Sequence, residues 1–277
     1  MSDYKRSTEF SFPLFVPASR PERIPKAWAA GSDAIIVDLE DAVADADKQQ
    51  ARFNLIETLG KQSPIDRPAV ATYCRINAAD TPWYTDDIKL LRELAINGVM
   101  LPKAESVESL QALRRALPPG QKILALIETA IGLGNVRSLA GECDQLVFGS
   151  IDYCSDLGLT HTQTALLYAR SEIVLAARIA NRLPPLDGVT TATRDAALIE
   201  ADAHHSAELG FGGKLLIHPA QLKSARRGFA PSTEEIEWAK KIIAASQSGG
   251  AVAVDGAMVD APVIAQAQAI LTGDIKP

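Results

Sequence analysis

Aromatic residues are scarce, 5% of the 277, so a hydrophobic content of 47% is mostly aliphatic. Proteins that stack nucleic-acid bases need exposed aromatic rings beside a basic groove. With a formal charge of −6 and a pI near 5.3, this chain offers neither, and no nucleic-acid partner is expected. Cysteine is equally thin. Cys74, Cys143 and Cys154 are an odd set without CxxC spacing, which argues against a zinc site or a disulfide framework and makes the cytoplasm the expected location. No apolar run reaches the ~18 residues of a membrane span, and Met1 to Phe10 is polar with no signal-peptide core after it. No membrane association is expected.

What the chain does have is an alternation of short aliphatic runs and helical patterns. The run Ala34-Ile35-Ile36-Val37 ends abruptly in three acids within four residues, Asp38, Glu40 and Asp41. A β-branched run of this kind reads as a strand buried on both faces. Acids gathered at its end repel one another, and burial raises their pKa unless cations or hydrogen-bond donors hold them ionised. Asp41 or Asp45 also has a plainer reading, as a cap for the following helix. Further strands are expected at 11–17, 70–76, 98–101, 122–127, 145–148, 185–189 and 213–217. Helices are expected at about 46–60, 84–95, 106–116, 130–140, 163–182 and 193–209, and one starts near Ser19 and Pro21.

Eight βα units in about 220 residues fit a closed (β/α)8 TIM barrel better than an open sheet. The barrel is expected over 11–228, with a C-terminal helical arm or lid over 229–277. In that arm Ser232 or Thr233 caps one helix, Ser246 to Gly250 reads as a linker, and a last helix covers roughly 262–272.

In such a barrel, residues just past each strand meet at one face. Those positions hold Asp38, Glu40 and Asp41, then Arg75 and Asn77, Lys103 and Glu105, Glu128, Asp152, Asp187 and His218. Glu128 and Asp152 follow adjacent strands, so their carboxylates can converge on one hard cation with waters and substrate oxygens completing an octahedron, the usual Mg2+ arrangement. The competing reading pairs Glu128 with Arg75 or Lys103. His218 reads equally as a hydrogen-bonded support or a proton carrier.

In order and spacing, several motifs resemble the citrate lyase β-subunit-like proteins, which include malyl-CoA and citramalyl-CoA lyases. They are Val37-Asp38-Leu39-Glu40-Asp41-Ala42-Val43, Arg75-Ile76-Asn77, Leu101-Pro102-Lys103-Ala104-Glu105-Ser106, Ile127-Glu128-Thr129, Phe148-Gly149-Ser150-Ile151-Asp152 and Ile217-His218-Pro219. The resemblance runs from about Leu14 to the last helix. Ile151 departs from it, since many relatives carry an acidic or polar residue there. The resemblance implies that Glu128 and Asp152 bind Mg2+ while Glu40 and Asp41 hold its waters. It also implies that Arg75 faces a thioester oxygen and that Arg20 and Lys26 contact coenzyme A. Asp260 would be an acid/base carboxylate donated by a neighbouring subunit, which requires a homo-oligomer such as a trimer. By residue type alone, Arg20 and Lys26 are solvated surface charges and Asp260 is a helix N-cap. The implied reaction is retro-Claisen cleavage of a 3-hydroxyacyl-CoA, with a citramalyl substrate suggested by Ile151 and Met100. A citrate lyase β subunit and a malyl-CoA thioesterase are the alternatives.

Overall fold

The computed structural model describes residues 10–61, 68–246, 252–254 and 257–272. Its strands are β1 (Leu14–Pro17), β2 (Ala34–Asp38), β3 (Ala71–Arg75), β4 (Gly98–Leu101), β5 (Lys122–Ile127), β6 (Gln145–Phe148), β7 (Leu186–Asp187) and β8 (Gly213–Lys214). All pair in parallel and in sequence order. The expected strands are therefore present. The last two are short, and β7 cannot start earlier as a donor strand because Pro184 and Pro185 lack an N–H. No ladder joins β8 to β1. The seam is one parallel bridge, Leu14 to Leu216, with the Phe15 amide donating to the Leu216 carbonyl at 2.8 Å and the Lys214 amide to the Ser11 carbonyl at 2.8 Å. Gly213 permits that approach, since a Cβ there would lie 1.9 Å from the Ser11 oxygen.

Helices alternate with the strands: α1 (Ile24–Ala29), α2 (Lys48–Leu59), α3 (Tyr84–Leu91), α4 (Val107–Ala116), α5 (Ala130–Gly134), α6 (Val136–Glu142), α7 (Ser150–Leu157), α8 (Gln163–Ile179), α9 (Ala196–Glu208) and α10 (Leu222–Gly228). Two differences from expectation stand out. The helix expected to start near Ser19 and Pro21 begins at Ile24 instead, after a 3-10 turn, Pro21–Arg23. The single helix expected over 130–140 is two helices that meet at Asn135.

The core follows the twofold period of strands. Ile36, Tyr73, Met100, Leu124, Leu126, Val147, Leu186 and Leu215 fill the interior of the curled sheet. Their neighbours Ile35, Val37, Cys74, Val99, Ile123, Ile127 and Leu146 face outward and pack in the helix layer. Asp38, Arg75 and Glu128 each stand two residues beyond an interior side chain, so the same parity places them at the interior's upper rim.

Asp187 has the opposite parity, and this corrects its expected place at the mouth. It points outward, fully buried, and accepts from Arg170 of α8 at 3.1 Å, from Ser206 of α9 at 2.5 Å and from Lys214 at 3.2 Å. Lys214 also pairs with Asp202 at 3.0 Å. Burial pushes the Asp187 carboxyl up, but Lys214 and Arg170 outweigh it and hold the group well below the usual carboxylate range. Its contribution to stability is thus present above that range and lost as pH falls through the depressed value. Asp187→Ala leaves two buried cations short of a counter-charge, and we expect it to lower stability by about 3–5 kcal/mol. Urea unfolding measures this, and a loss below about 1 kcal/mol would show that the cluster does not hold the helix layer.

Beyond α10 the chain forms α11 (Thr233–Ser246), a two-stranded antiparallel ribbon of β9 (Val252–Val254) and β10 (Ala257–Val259), and α12 (Ala261–Thr272). Ser232 and Glu235 form a reciprocal cap on α11, as its sequence suggests. Ala239 and Ile242 of α11 pack with Val259, Ala267 and Ile270 in a small core of their own. Most of the expected linker, residues 247–250, lies outside the described residues. No helix among the described residues is long and apolar enough to cross a membrane.

Candidate active site

A cavity of about 400 Å3 opens at the carboxyl ends of the strands. The polar residues Asp38, Asp41, Arg75, Glu128 and Asp152 and the apolar residues Phe15, Leu126, Phe148, Val189 and Leu215 are among those that line it. Met100 is fully buried beneath it and does not line it, so the expectation that Met100 shapes the pocket is not met. Ile151 does line it.

Arg75 organises the acids. Its Nε and Nη2 each donate to one oxygen of Asp38 at 2.7 Å, a bidentate pair. Its Nη1 lies 2.9 Å from Glu40 and 3.4 Å from Asp41, and the guanidinium stacks over the Phe15 ring at 5.0 Å. Glu40 also accepts from Lys103 Nζ at 2.8 Å. Burial still pushes the Glu40 carboxyl above its ordinary value, against the pull of Arg75 and Lys103. Lys48 fixes the loop from below, its buried ammonium donating to the carbonyls of Leu39 and Glu40 at 2.8 Å. Glu40 is thus tied into the wall, whereas neighbouring Asp41 is exposed and faces the opening.

Glu128 stands apart from this network. Its Oε1 accepts from the Lys103 amide at 2.8 Å, while its Oε2 is buried with no hydrogen-bond partner. Burial, the Glu40 charge and, less strongly, Asp152 push the Glu128 carboxyl up to about 8, against the Lys103 amide and Arg75. Asp152, in the first turn of α7, makes no ion pair among the described residues. The same cavity therefore holds a carboxylate with one buried, unsatisfied oxygen and a second, free carboxylate. A bound cation is what such a pair requires. Gly149 keeps the space open, since a Cβ there would lie 2.4 Å from Glu128 Oε2. The donors are hard oxygens, as Mg2+ prefers. No group of three or more His, Cys, Asp or Glu that could hold a metal occurs among the described residues, so water or substrate must supply the other ligands.

Other expected positions lie elsewhere. Asn77 is buried and donates twice to Asp87. Glu105 accepts from Thr129 at 2.8 Å. His218 is exposed, and its Nδ1 accepts from the Ala220 amide to cap the turn Pro219–Gln221, in line with its reading as a hydrogen-bonded support. Arg20 and Lys26 are exposed and do not line the cavity. Asp260 is exposed too and caps α12, accepting from the Val263 amide at 3.2 Å. The competing pairing of Glu128 with Lys103 is met in part, through the Lys103 main-chain amide rather than its ammonium. The sequence does not announce Asp38 as the anchor of Arg75 or the hydrogen bond between cavity-lining Ser150 and His161 at 2.9 Å.

Eight parallel strands in sequence order, with acids and one buried arginine at their carboxyl ends, are the architecture of a barrel-type α/β enzyme. The chain belongs to the HpcH/HpaI aldolase/citrate lyase family, whose profile matches residues 11–219. The protein CitE of Mycobacterium tuberculosis, solved with magnesium, acetoacetate and coenzyme A, superposes with a TM-score of 0.84 at 36% identity, over 96% of this chain and 98% of that one. The (3S)-malyl-CoA thioesterase of Cereibacter sphaeroides is 34% identical over 89% of this chain and 88% of its own. The mitochondrial citramalyl-CoA lyase of Homo sapiens is 32% identical over 94% and 84%.

Proposed function

We propose that this chain is a Mg2+-dependent carbon–carbon lyase that cleaves a 3-hydroxyacyl-CoA of citramalyl or malyl type into acetyl-CoA and a 2-oxoacid. The observation that carries the reading is the buried, partnerless Oε2 of Glu128 beside free Asp152. Those two residues hold Mg2+, which when bound supplies Lewis-acid charge to the hydroxyl and carboxylate oxygens of the substrate. Asp41, exposed at the opening, and Glu40, in the wall beside it, orient water around the site. The 3-hydroxyl gives its proton through one of those waters to solvent, the C2–C3 bond breaks as the C3–O bond becomes a carbonyl, and the electron pair of the broken bond passes to the thioester as an enolate. Arg75 stands where that negative charge develops, and protonated Asp260 from a neighbouring subunit delivers a proton to C2. Arg20 and Lys26, just beyond β1, bind coenzyme A.

The rest of the assembly follows from that reading. Residues 11–228 form a closed barrel, supported by the seam bonds between β1 and the segment after β8. Residues 229–277 form an arm, supported by the separate core of α11 and α12. The protein is a homo-oligomer and cytoplasmic, and its three buried, free cysteines suit a reducing compartment.

One feature separates citramalyl from citryl substrates. A citryl thioester carries an extra carboxylate, and among the described lining residues no cation besides Arg75 is there to receive it. The apolar wall of Val189, Leu215 and Phe148 suits a methyl group instead. The test is an assay of purified protein with Mg2+ on malyl-, citramalyl- and citryl-CoA, with products identified by mass spectrometry. Acetyl-CoA with pyruvate or glyoxylate is expected. Free coenzyme A with an intact hydroxyacid would instead establish the thioesterase reading, which the C. sphaeroides relative favours. Inertness toward every ester would move the reading to a carrier-protein substrate.

A further inference from the structure

Lys103 adopts a left-handed backbone conformation, with φ at +44°. A non-glycine residue there is uncommon, and when its surroundings hold it so, it marks a position where geometry matters. At Lys103 the result is visible. The turned backbone presents the amide to Glu128 Oε1 at 2.8 Å, which leaves Oε2 as the oxygen that is buried and partnerless on the side of Gly149. The ammonium is engaged separately, with Glu40 at 2.8 Å.

We propose that Lys103 is a positioning residue for the metal site, and that it acts on Glu128 through its main chain rather than through its charge. This inference rests on the reading of Glu128 as a metal ligand. Groups that orient metal ligands typically change affinity by about 10–100-fold when lost, so the two contributions are separable by variant. Lys103→Val puts a β-branched side chain where φ is positive and turns the amide away. Lys103→Asn and Lys103→Met both discard the ammonium. Asn tolerates the left-handed region well, and Met strains it no more than Lys does.

The experiment measures Mn2+ affinity by electron paramagnetic resonance on wild type and the three variants, with urea unfolding of each alongside. The expected result is about a tenfold or greater weakening in K103V, with K103N and K103M within about threefold of wild type. Equal loss in K103M and K103N would overturn the inference by showing that the ammonium is responsible, whether or not K103V folds. Wild-type affinity in a folded K103V would overturn it as well. A wild type that binds no Mn2+ would remove the metal reading itself, and this inference with it.

Discussion

Glu128→Gln is expected to abolish divalent-cation binding and to lower kcat about a thousandfold or more, the loss of roughly 4 kcal/mol of charge stabilisation. Glutamine keeps the side chain's shape and its bond from the Lys103 amide, so a collapsed fold would not explain the loss. The same substitution has an opposite effect on the metal-free protein. In the fold the Glu128 carboxyl is pushed up to about 8 by burial and by Glu40. A group raised in this way favours the native state at low pH, and that contribution disappears as pH rises through the folded value. Metal-free wild type therefore loses stability between about pH 5 and pH 8, while the glutamine variant lacks this slope. Metal affinity runs the other way, increasing as pH approaches 8 because ligation needs the carboxylate. Excess Mg2+ should accordingly flatten the stability profile of wild type alone. Urea unfolding at pH 5, 7 and 9, with chelator and with Mg2+, separates the cases. A flat metal-free profile in wild type, or undiminished cation binding in E128Q, would count against Glu128 as a ligand.

How much of this was legible in the sequence depends on the length of the pattern that carried it. The strands from β1 to β6 were clear because aliphatic runs of four to six residues end in abrupt polarity, and Asp38, Arg75 and Glu128 followed at their ends. Where a strand shrinks to two residues, parity can no longer be read. Asp187 was therefore placed at the mouth, although it faces the helix layer. The helix bearing Asp152 is not read from the sequence because it spans only two turns and begins directly after Gly149, with no loop to set it off from β6. Gly158, left-handed at its end, was the one available stop signal. Neighbouring acids were not distinguishable either: Glu40 and Asp41 differ in exposure because Lys103 and Arg75, remote in sequence, claim only the first closely. The turn at Lys103 left no trace, since lysine is not a residue that announces a positive φ.

Asp260 illustrates both readings of one residue, and mixing two inactive variants distinguishes them. In this chain it caps α12, a role that asparagine fills as well. Asp260→Asn should thus keep the arm's stability and the cation affinity while lowering kcat by about 10^2–10^4-fold, the range for a lost general acid or base. Glu128→Gln is inactive for an independent reason, on the other side of the proposed shared site. When the two variants are co-expressed with different tags and assemble at random, each site combines one subunit's Glu128 with its neighbour's Asp260. About a quarter of the sites then contain both intact residues, so activity should return to roughly that fraction of wild type. Were Asp260 to act within its own subunit, every site would keep one defect and the mixed oligomer would stay inactive. Full activity in D260N alone would show that the cap is the residue's whole role, and the proton for the enolate carbon would have to come from another group at the mouth.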